Sequence, residues 1–417
     1  MMKQVYLDHN ATTKPSAAVA EAVAAGVEVY WHNPSSNYRP GQDAKHQIEI
    51  ARGQVAAMLG VKSREITFTG SGTEAIDLAI RGTLGAHRKT NPKKNVIITT
   101  PIEHSAIRNL CQQLETTGQA RILWLPVDRS GVVDVSGLEA IIKEHANVGG
   151  SSGGGSRNSS GKSAGGHEIA MVSMQWVNNE TGVVQPVHRV GEICDRHNVV
   201  FHCDATQWVG KMPTALHSPE SPKVDLLNAS AHKFHGPKGV GMLWVRRGVR
   251  LLAVTPGWQE LGRRGGTEPV PAILGAGVAA VQAVKWVEDQ ANRDAVGELR
   301  DRLERGILEA CPGSVVNTTV DPELRLWSTT NIGFPRLEAE ALLLSLSERG
   351  VCVSAGSACA SGSLDPSPVL LAMGVEEYIA HGSIRLSLGR ETTVEEVDRA
   401  IEVISGVASQ LSRSMPG

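Results

Sequence analysis

From about residue 65 the chain alternates short apolar runs with helical stretches, and that alternation leaves few folds open. Ile66-Thr67-Phe68-Thr69, Val96-Ile97-Ile98-Thr99 and Ile122-Leu123-Trp124-Leu125 read as strands. So do Ala170-Met171-Val172-Ser173-Met174, Val199-Val200-Phe201-His202 and Val224-Asp225-Leu226-Leu227. Their apolar, often β-branched character suits buried parallel strands joined by crossover helices. The expected fold class is α/β, a mostly parallel sheet with helices on both faces. Ligands of such sheets bind at the carboxyl ends of the strands.

After about residue 257 the pattern changes to a long helical stretch over 270–310, then a short strand at Thr330-Asn331-Ile332-Gly333-Phe334. A helix over 338–349 and a last helix over 394–411 follow. This predicts a large domain over 15–257 and a smaller α+β domain built from 1–14 and 258–417. The stretch 148–166 is almost entirely Gly, Ser and small polar residues. It lacks the apolar surface to offset its ordering entropy and reads as a flexible surface insertion.

A formal net charge of −2 over 417 residues gives no global electrostatic case for nucleic acid or an anionic membrane. Six scattered cysteines make no disulfide framework and fit a reducing compartment. No apolar run follows a basic start, and none approaches the ~20 residues of a membrane span. The expectation is a soluble, cytoplasmic protein.

Ser230-Ala231-His232-Lys233 closes an apolar strand and runs into Gly236-Pro237-Lys238-Gly239. A buried lysine beside such a turn is a candidate Schiff-base lysine, because burial favours its free amine. Asp204, in Phe201-His202-Cys203-Asp204, ends another strand and offers an acid for a pyridine nitrogen, as pyridoxal phosphate chemistry requires. His202 and Asp204 share a strand face while Cys203 does not, and no ligand set has zinc spacing, so no metal is expected. Gly70-Ser71-Gly72-Thr73-Glu74 opens a helix whose first amides could cradle a phosphate; an ordinary strand-to-helix turn is the alternative. His104 could stack on a ring or merely cap the next helix. Asn179 lies in a turn, Asn178-Asn179-Glu180-Thr181-Gly182. Arg385, on the apolar strand Ser383-Ile384-Arg385-Leu386-Ser387, could clamp a carboxylate or form a structural ion pair. Cys359 sits among Gly, Ser and Ala in Ser354-Ala355-Gly356-Ser357-Ala358-Cys359-Ala360-Ser361, a composition that suits an exposed thiol. Cys352, between two valines, reads as a buried strand thiol.

Together these motifs resemble the cysteine desulfurases, fold-type I pyridoxal phosphate enzymes of aminotransferase class V. The resemblance runs from Tyr6-Leu7-Asp8-His9-Asn10-Ala11-Thr12-Thr13 to Gly389-Arg390, and the loop around Cys359 is similar to the class I group. It implies Lys233 as the cofactor lysine, Asp204 at the pyridine nitrogen and His104 on the ring. It places Asn179 and Gln207 near the ring oxygen, and Gly72, Thr73, Ser230 and His232 on the phosphate. Thr267 would reach the phosphate of the other subunit of a homodimer. Asn33, in Asn33-Pro34-Ser35-Ser36, and Arg385 would bind the substrate carboxylate. Cys359 would take sulfur from L-cysteine as a persulfide, release alanine, and pass the sulfur to an acceptor such as an iron–sulfur scaffold or a thiolation enzyme.

The chain departs from that pattern at Asp77, Trp208, Trp258, Gly266 and the 148–166 insertion. The two tryptophans could reshape the pocket rim or the dimer contact, or simply fill core. Tyr38 resembles the selenocysteine lyases, which form one alternative; a class V aminotransferase, which would not need Cys359, forms another.

Overall fold

The computed structural model describes residues 4–148, 167–318, 321–355 and 365–414. It opens with strand β1 (Val5–Tyr6) and helices α1 (Ala17–Glu28) and α2 (Arg39–Leu59). Ser16 caps α1 by accepting from the Val19 amide, and α2 stops at Gly60, whose φ of 64° a residue with a Cβ adopts only under strain. Then come β2 (Ile66–Thr69), α3 (Gly72–Thr90), β3 (Lys94–Thr99), α4 (Ser105–Thr116), β4 (Arg121–Trp124) and α5 (Val135–Val148). β5 (Glu168–Gln175), α6 (Val187–Arg196), β6 (Val200–Asp204), β7 (Leu226–Ser230) and β8 (Gly241–Val245) complete the first half.

Among the described residues these strands form one sheet in the order β2-β8-β7-β6-β5-β3-β4. All its strands run parallel except β8, which is antiparallel to both neighbours. β8 is the strand the alternation did not predict: it follows β7 by a short turn, with no crossover helix. Strand order reverses between β3, which feeds β4 on one side, and β5, which feeds β6 and β7 on the other. A crevice at the carboxyl ends follows from that reversal.

The second half holds α7 (Val270–Glu288), α8 (Gln290–Ala310), β9 (Val315–Val316), β10 (Thr329–Gly333), α9 (Ala339–Glu348), β11 (Val351–Cys352) and β12 (Ser354–Ala355). α10 (Pro368–Ala372), α11 (Glu377–Ala380), β13 (Ser383–Ser387) and α12 (Val394–Ser414) follow. The helical stretch expected over 270–310 is two helices. Asp289 breaks it and caps α8 by accepting from the Ala291 amide at 3.0 Å.

The expected boundary near 258 also shifts. Ile273, Ala276, Ala280 and Ala283 of α7 are buried in the same core as Val19, Ile48 and Val55 of α1 and α2. A separate core begins beyond Asp289, with Val296, Leu303, Ile332, Ile384 and Ile404, and takes in Val5 and Leu7. α7 is also long and apolar enough to cross a membrane by composition, contrary to the sequence reading. Its buried face packs on α1 and α2 as a core helix does.

Candidate active site

A cavity of about 670 Å³ opens at the carboxyl ends of the large sheet. One wall is the start of α3. Ser71 caps this helix by accepting from the Glu74 amide at 3.1 Å, which leaves the Gly72 and Thr73 amides at its open end. Small residues let α3 come this close to the sheet. A Cβ on Gly72 would meet the Ser230 Cβ at 3.2 Å, and one on Gly241 would lie 2.3 Å from the Ser71 carbonyl carbon. Ser71, Gly72, Thr73, Thr206, Ser230 and His232 all line this end. The helix dipole and free amides suit a phosphate-sized anion. Burial, with Lys233 and Lys238 nearby, pushes the His232 imidazolium down to about 4, so its ring is neutral and can donate.

The back wall is a hydrogen-bonded chain across three parallel strands. Ser173 on β5 bonds His202 Nδ1 at 2.9 Å, and His202 Nε2 bonds Asn228 Oδ1 at 2.8 Å. Asn228 Nδ2 then donates to Asp204 Oδ1 at 2.8 Å, and the Thr206 amide donates to the same oxygen at 3.0 Å. Burial lowers the His202 imidazolium to about 4, so the ring stays neutral and Nε2 carries the proton that fixes the Asn228 amide. Asp204 is thereby held rigidly at the cavity by one oxygen.

Lys233 lies one 3₁₀ turn beyond β7, half-buried instead of buried as expected. Its Nζ donates to the carbonyls of Asn10 at 2.7 Å and Ala11 at 2.8 Å. The N-terminal segment thus crosses the cavity and meets the lysine. Arg385 forms the ion pair that was one of the two readings. Its Nη2 pairs with Asp8 Oδ1 at 2.6 Å and its Nη1 donates to the Asn179 carbonyl at 3.2 Å. Its buried Nε has no partner among the described residues, and the residue lines the cavity.

His104 takes the capping role considered for it. It lines the cavity and caps α4, its Nδ1 accepting from the Ala106 amide at 3.1 Å. Asn179 and Gln207 line the cavity. Asn33 does not: it is exposed, with its Oδ1 accepting from the Ser35 amide at 2.9 Å, so the chain does not bring it beside Arg385. Thr267 is exposed and also outside the cavity. Cys359 lies outside the described residues. Cys352 is half-buried, its Sγ accepting from Gln4 Nε2, and not the buried thiol expected. No metal-ligating cluster occurs among the described residues.

Trp208 stacks on Trp176 with ring centroids 4.3 Å apart and packs against the large core, the core-filling alternative. Trp258 is 95% exposed. Asp77 pairs with Arg81 along α3 at 2.7 Å. Sequence reasoning missed Glu103, Arg108, Thr206 and Lys238 on the cavity wall, and Lys211 behind it. Glu103 and Arg108 flank His104 at short spacing, which was a usable signal; Lys211 gave none, because only tertiary packing buries it.

A parallel sheet with a lysine, a carboxylate and a helix N-terminus at its crevice defines a class of enzyme, and the comparisons agree. The chain belongs to the aminotransferase class-V family, whose model matches residues 5–149 and 159–400. Within that family it is 42% identical over 416 residues to cysteine desulfurase 2 of Trichormus variabilis, covering 100% of this chain and 96% of that protein. It matches a solved structure named NifS-like protein with a TM-score of 0.82 and 34% identity, over 98% of this chain and 100% of the other. A structure described as SspA in complex with cysteine matches with a TM-score of 0.74 and 29% identity, over 93% and 99% of the two chains.

Proposed function

We propose that the protein is a cysteine desulfurase that uses pyridoxal 5′-phosphate. Net, L-cysteine and the Cys359 thiol become L-alanine and a Cys359 persulfide. The observation that carries this reading is that Lys233, Asp204 and the open end of α3 line one cavity. Relatives called cysteine desulfurase over the full length support it.

The residues fit the cofactor. The α3 amides, Thr73, Ser230 and His232 would hold its phosphate, Asp204 its ring nitrogen, Lys233 its aldehyde carbon, and Gln207 and Asn179 its ring oxygen, with His104 against the ring. When bound, the cofactor supplies an electron sink for the pair left at the substrate Cα. Arg385 binds the substrate carboxylate through its unpartnered Nε side. Lys233 Nζ, once released, takes the Cα proton. The Cys359 thiolate attacks the substrate sulfur, the C–S bond breaks with its electron pair remaining on carbon, and that carbon is protonated. The persulfide sulfur then passes to an acceptor protein, for which an iron–sulfur scaffold or a thiolation enzyme is our expectation.

We also infer a cytoplasmic homodimer. Trp258 at 95%, Leu261 at 70% and Trp31 at 68% exposure are large apolar groups that a partner chain would cover. Thr267, exposed and close to Trp258 and Leu261 in sequence, would then reach the partner's phosphate site. Tyr38 is exposed at the start of α2 and does not line the cavity, so it lends no support to a selenium preference.

The test is the absorption spectrum of purified protein before and after L-cysteine, with alanine and sulfide quantified for wild type and Cys359→Ala. A yellow protein that makes alanine, and a variant that makes neither product, are expected. A yellow variant with full turnover would sink the role of Cys359, and a colourless protein that cannot be reconstituted would overturn the whole reading.

A further inference from the structure

Lys211 is 6% exposed, lies outside the cavity, and has no part in the chemistry above. It follows Gly210 in the turn after β6, behind Gln207. Its Nζ donates to Gln207 Oε1 at 2.6 Å and to Asn10 Oδ1 at 2.8 Å. Both partners lead directly to the cavity. Gln207 Nε2 donates to the Asn10 carbonyl at 3.0 Å, and that same carbonyl accepts from Lys233 Nζ. Asn10 Nδ2, the other end of its amide, donates to the Asn179 carbonyl and to Thr329 Oγ1.

An amide side chain has a donor end and an acceptor end of nearly the same shape. Only its neighbours decide which end faces a ligand. We propose that Lys211 is a positioning residue for the cofactor: by donating to Gln207 Oε1 it keeps the oxygen turned away from the cavity and presents Nε2 to an incoming anionic ring oxygen. With Lys211 absent, only the Asn10 carbonyl still holds the Gln207 amide in this orientation, and a turned amide would set Oε1 against the ring oxygen, a repulsive contact.

Burial drives the Lys211 ammonium well below the usual lysine range, and Lys233 and Arg385 add repulsion. Two acceptors lie within hydrogen-bond distance of its Nζ, so the side chain has enough N–H groups to hold both amides in either protonation state.

This inference rests on the cofactor reading above, and the test separates the two. Apoprotein is titrated with pyridoxal 5′-phosphate and with its 3-deoxy analogue, which lacks the ring oxygen. Binding is read by quenching of tryptophan fluorescence and by borohydride trapping on Lys233 with mass spectrometry. Wild type, Lys211→Met, Gln207→Ala and the double variant form a cycle. Each single variant should weaken pyridoxal 5′-phosphate binding roughly tenfold, the usual size of one hydrogen bond to a charged group. The double variant should be no worse than Gln207→Ala, and none should affect the 3-deoxy analogue. Additive losses, or equal losses for both ligands, would mean that Lys211 acts through packing and would overturn the proposal. If Gln207→Ala loses affinity while Lys211→Met does not, the proposal fails and the cofactor reading stands. If no variant or wild type is trapped on Lys233, both fail. Should Lys211→Met not fold, Lys211→Leu, which also removes the donor, takes its place; an unchanged preference for pyridoxal 5′-phosphate over the analogue in that variant overturns the proposal.

Discussion

Asp8 Oδ1 lies 2.6 Å from Arg385 Nη2, in a pair whose guanidinium side chain is 3% exposed. The partners are separated by almost the whole chain, yet the N-terminal carboxylate orients the cation that faces the cavity. Arg385→Lys keeps the charge but loses the planar fork. We expect it to raise KM for L-cysteine about tenfold or more, with pyridoxal 5′-phosphate retention unchanged. Steady-state kinetics and the visible spectrum of the same preparation check this; an unaltered KM would remove Arg385 from substrate binding.

Glu103 should make stability depend on pH. Burial, and then the Asp204 charge, raise its carboxyl to about 8, against the partial relief of the Thr100 hydroxyl. In the unfolded chain the group ionises near 4.5. Between these values the fold keeps a proton that the unfolded chain has released, so stability falls as pH rises through that window and then levels. Glu103→Gln removes the titration. Relative to the parent it should gain on the order of a few kcal/mol between pH 5 and pH 8, measured by urea unfolding across that range. A constant difference between the two proteins would contradict the assignment.

Asn228 joins His202 to Asp204, so its loss should be felt twice. Asn228→Leu has similar volume but leaves the His202 Nε2 proton without its acceptor and Asp204 Oδ1 without one of its donors. About 1–3 kcal/mol of destabilisation is expected for each buried group left unsatisfied. Thermal unfolding reads the stability, and dialysis against buffer should strip cofactor from this variant faster than from wild type.

Thiol chemistry should avoid the core. Burial pushes Cys111 up to about 12, and raises Cys194 and Cys203 as well. Iodoacetamide at pH 8 should leave these three unmodified in the native protein and label them after unfolding. Labelling of native Cys203, mapped by peptide mass spectrometry, would argue against the packing around β6.

Much of this was legible in the chain. Buried parallel strands need apolar, β-branched runs, and six of them could be placed from the sequence. Val240 to Val245 is just as apolar, but it follows the Lys233 turn without a crossover helix and so broke the rule used to find its neighbours. The helix break at Asp289 had a local signal, a capping residue, that a long apolar periodicity concealed. Lys233, Asp204 and the α3 turn were visible because each ends a strand. Lys211 and Asn10 were not, since nothing local distinguishes a buried lysine or a bridging asparagine from exposed ones. Their burial and joining come from contacts spanning about two hundred residues or more, such as Asn10 with Lys211 and with Ser387, although Lys211 also meets Gln207 one helical turn's spacing before it.

The N-terminal strap has a consequence for synthesis. β1 pairs in parallel with β11, and the Asn10 amide donates to Ser387 Oγ. Residues near Val5 and Asn10 therefore wait for residues made more than three hundred positions later before they find their places. Pairing over such sequence distance is slow, because the loop it closes must be ordered first. Until β11 and Ser387 are made, the strap that carries the Asn10 and Ala11 carbonyls has not found its anchors opposite Lys233. A nascent chain can build its large sheet early, but it completes the lysine's surroundings only once those later elements have emerged.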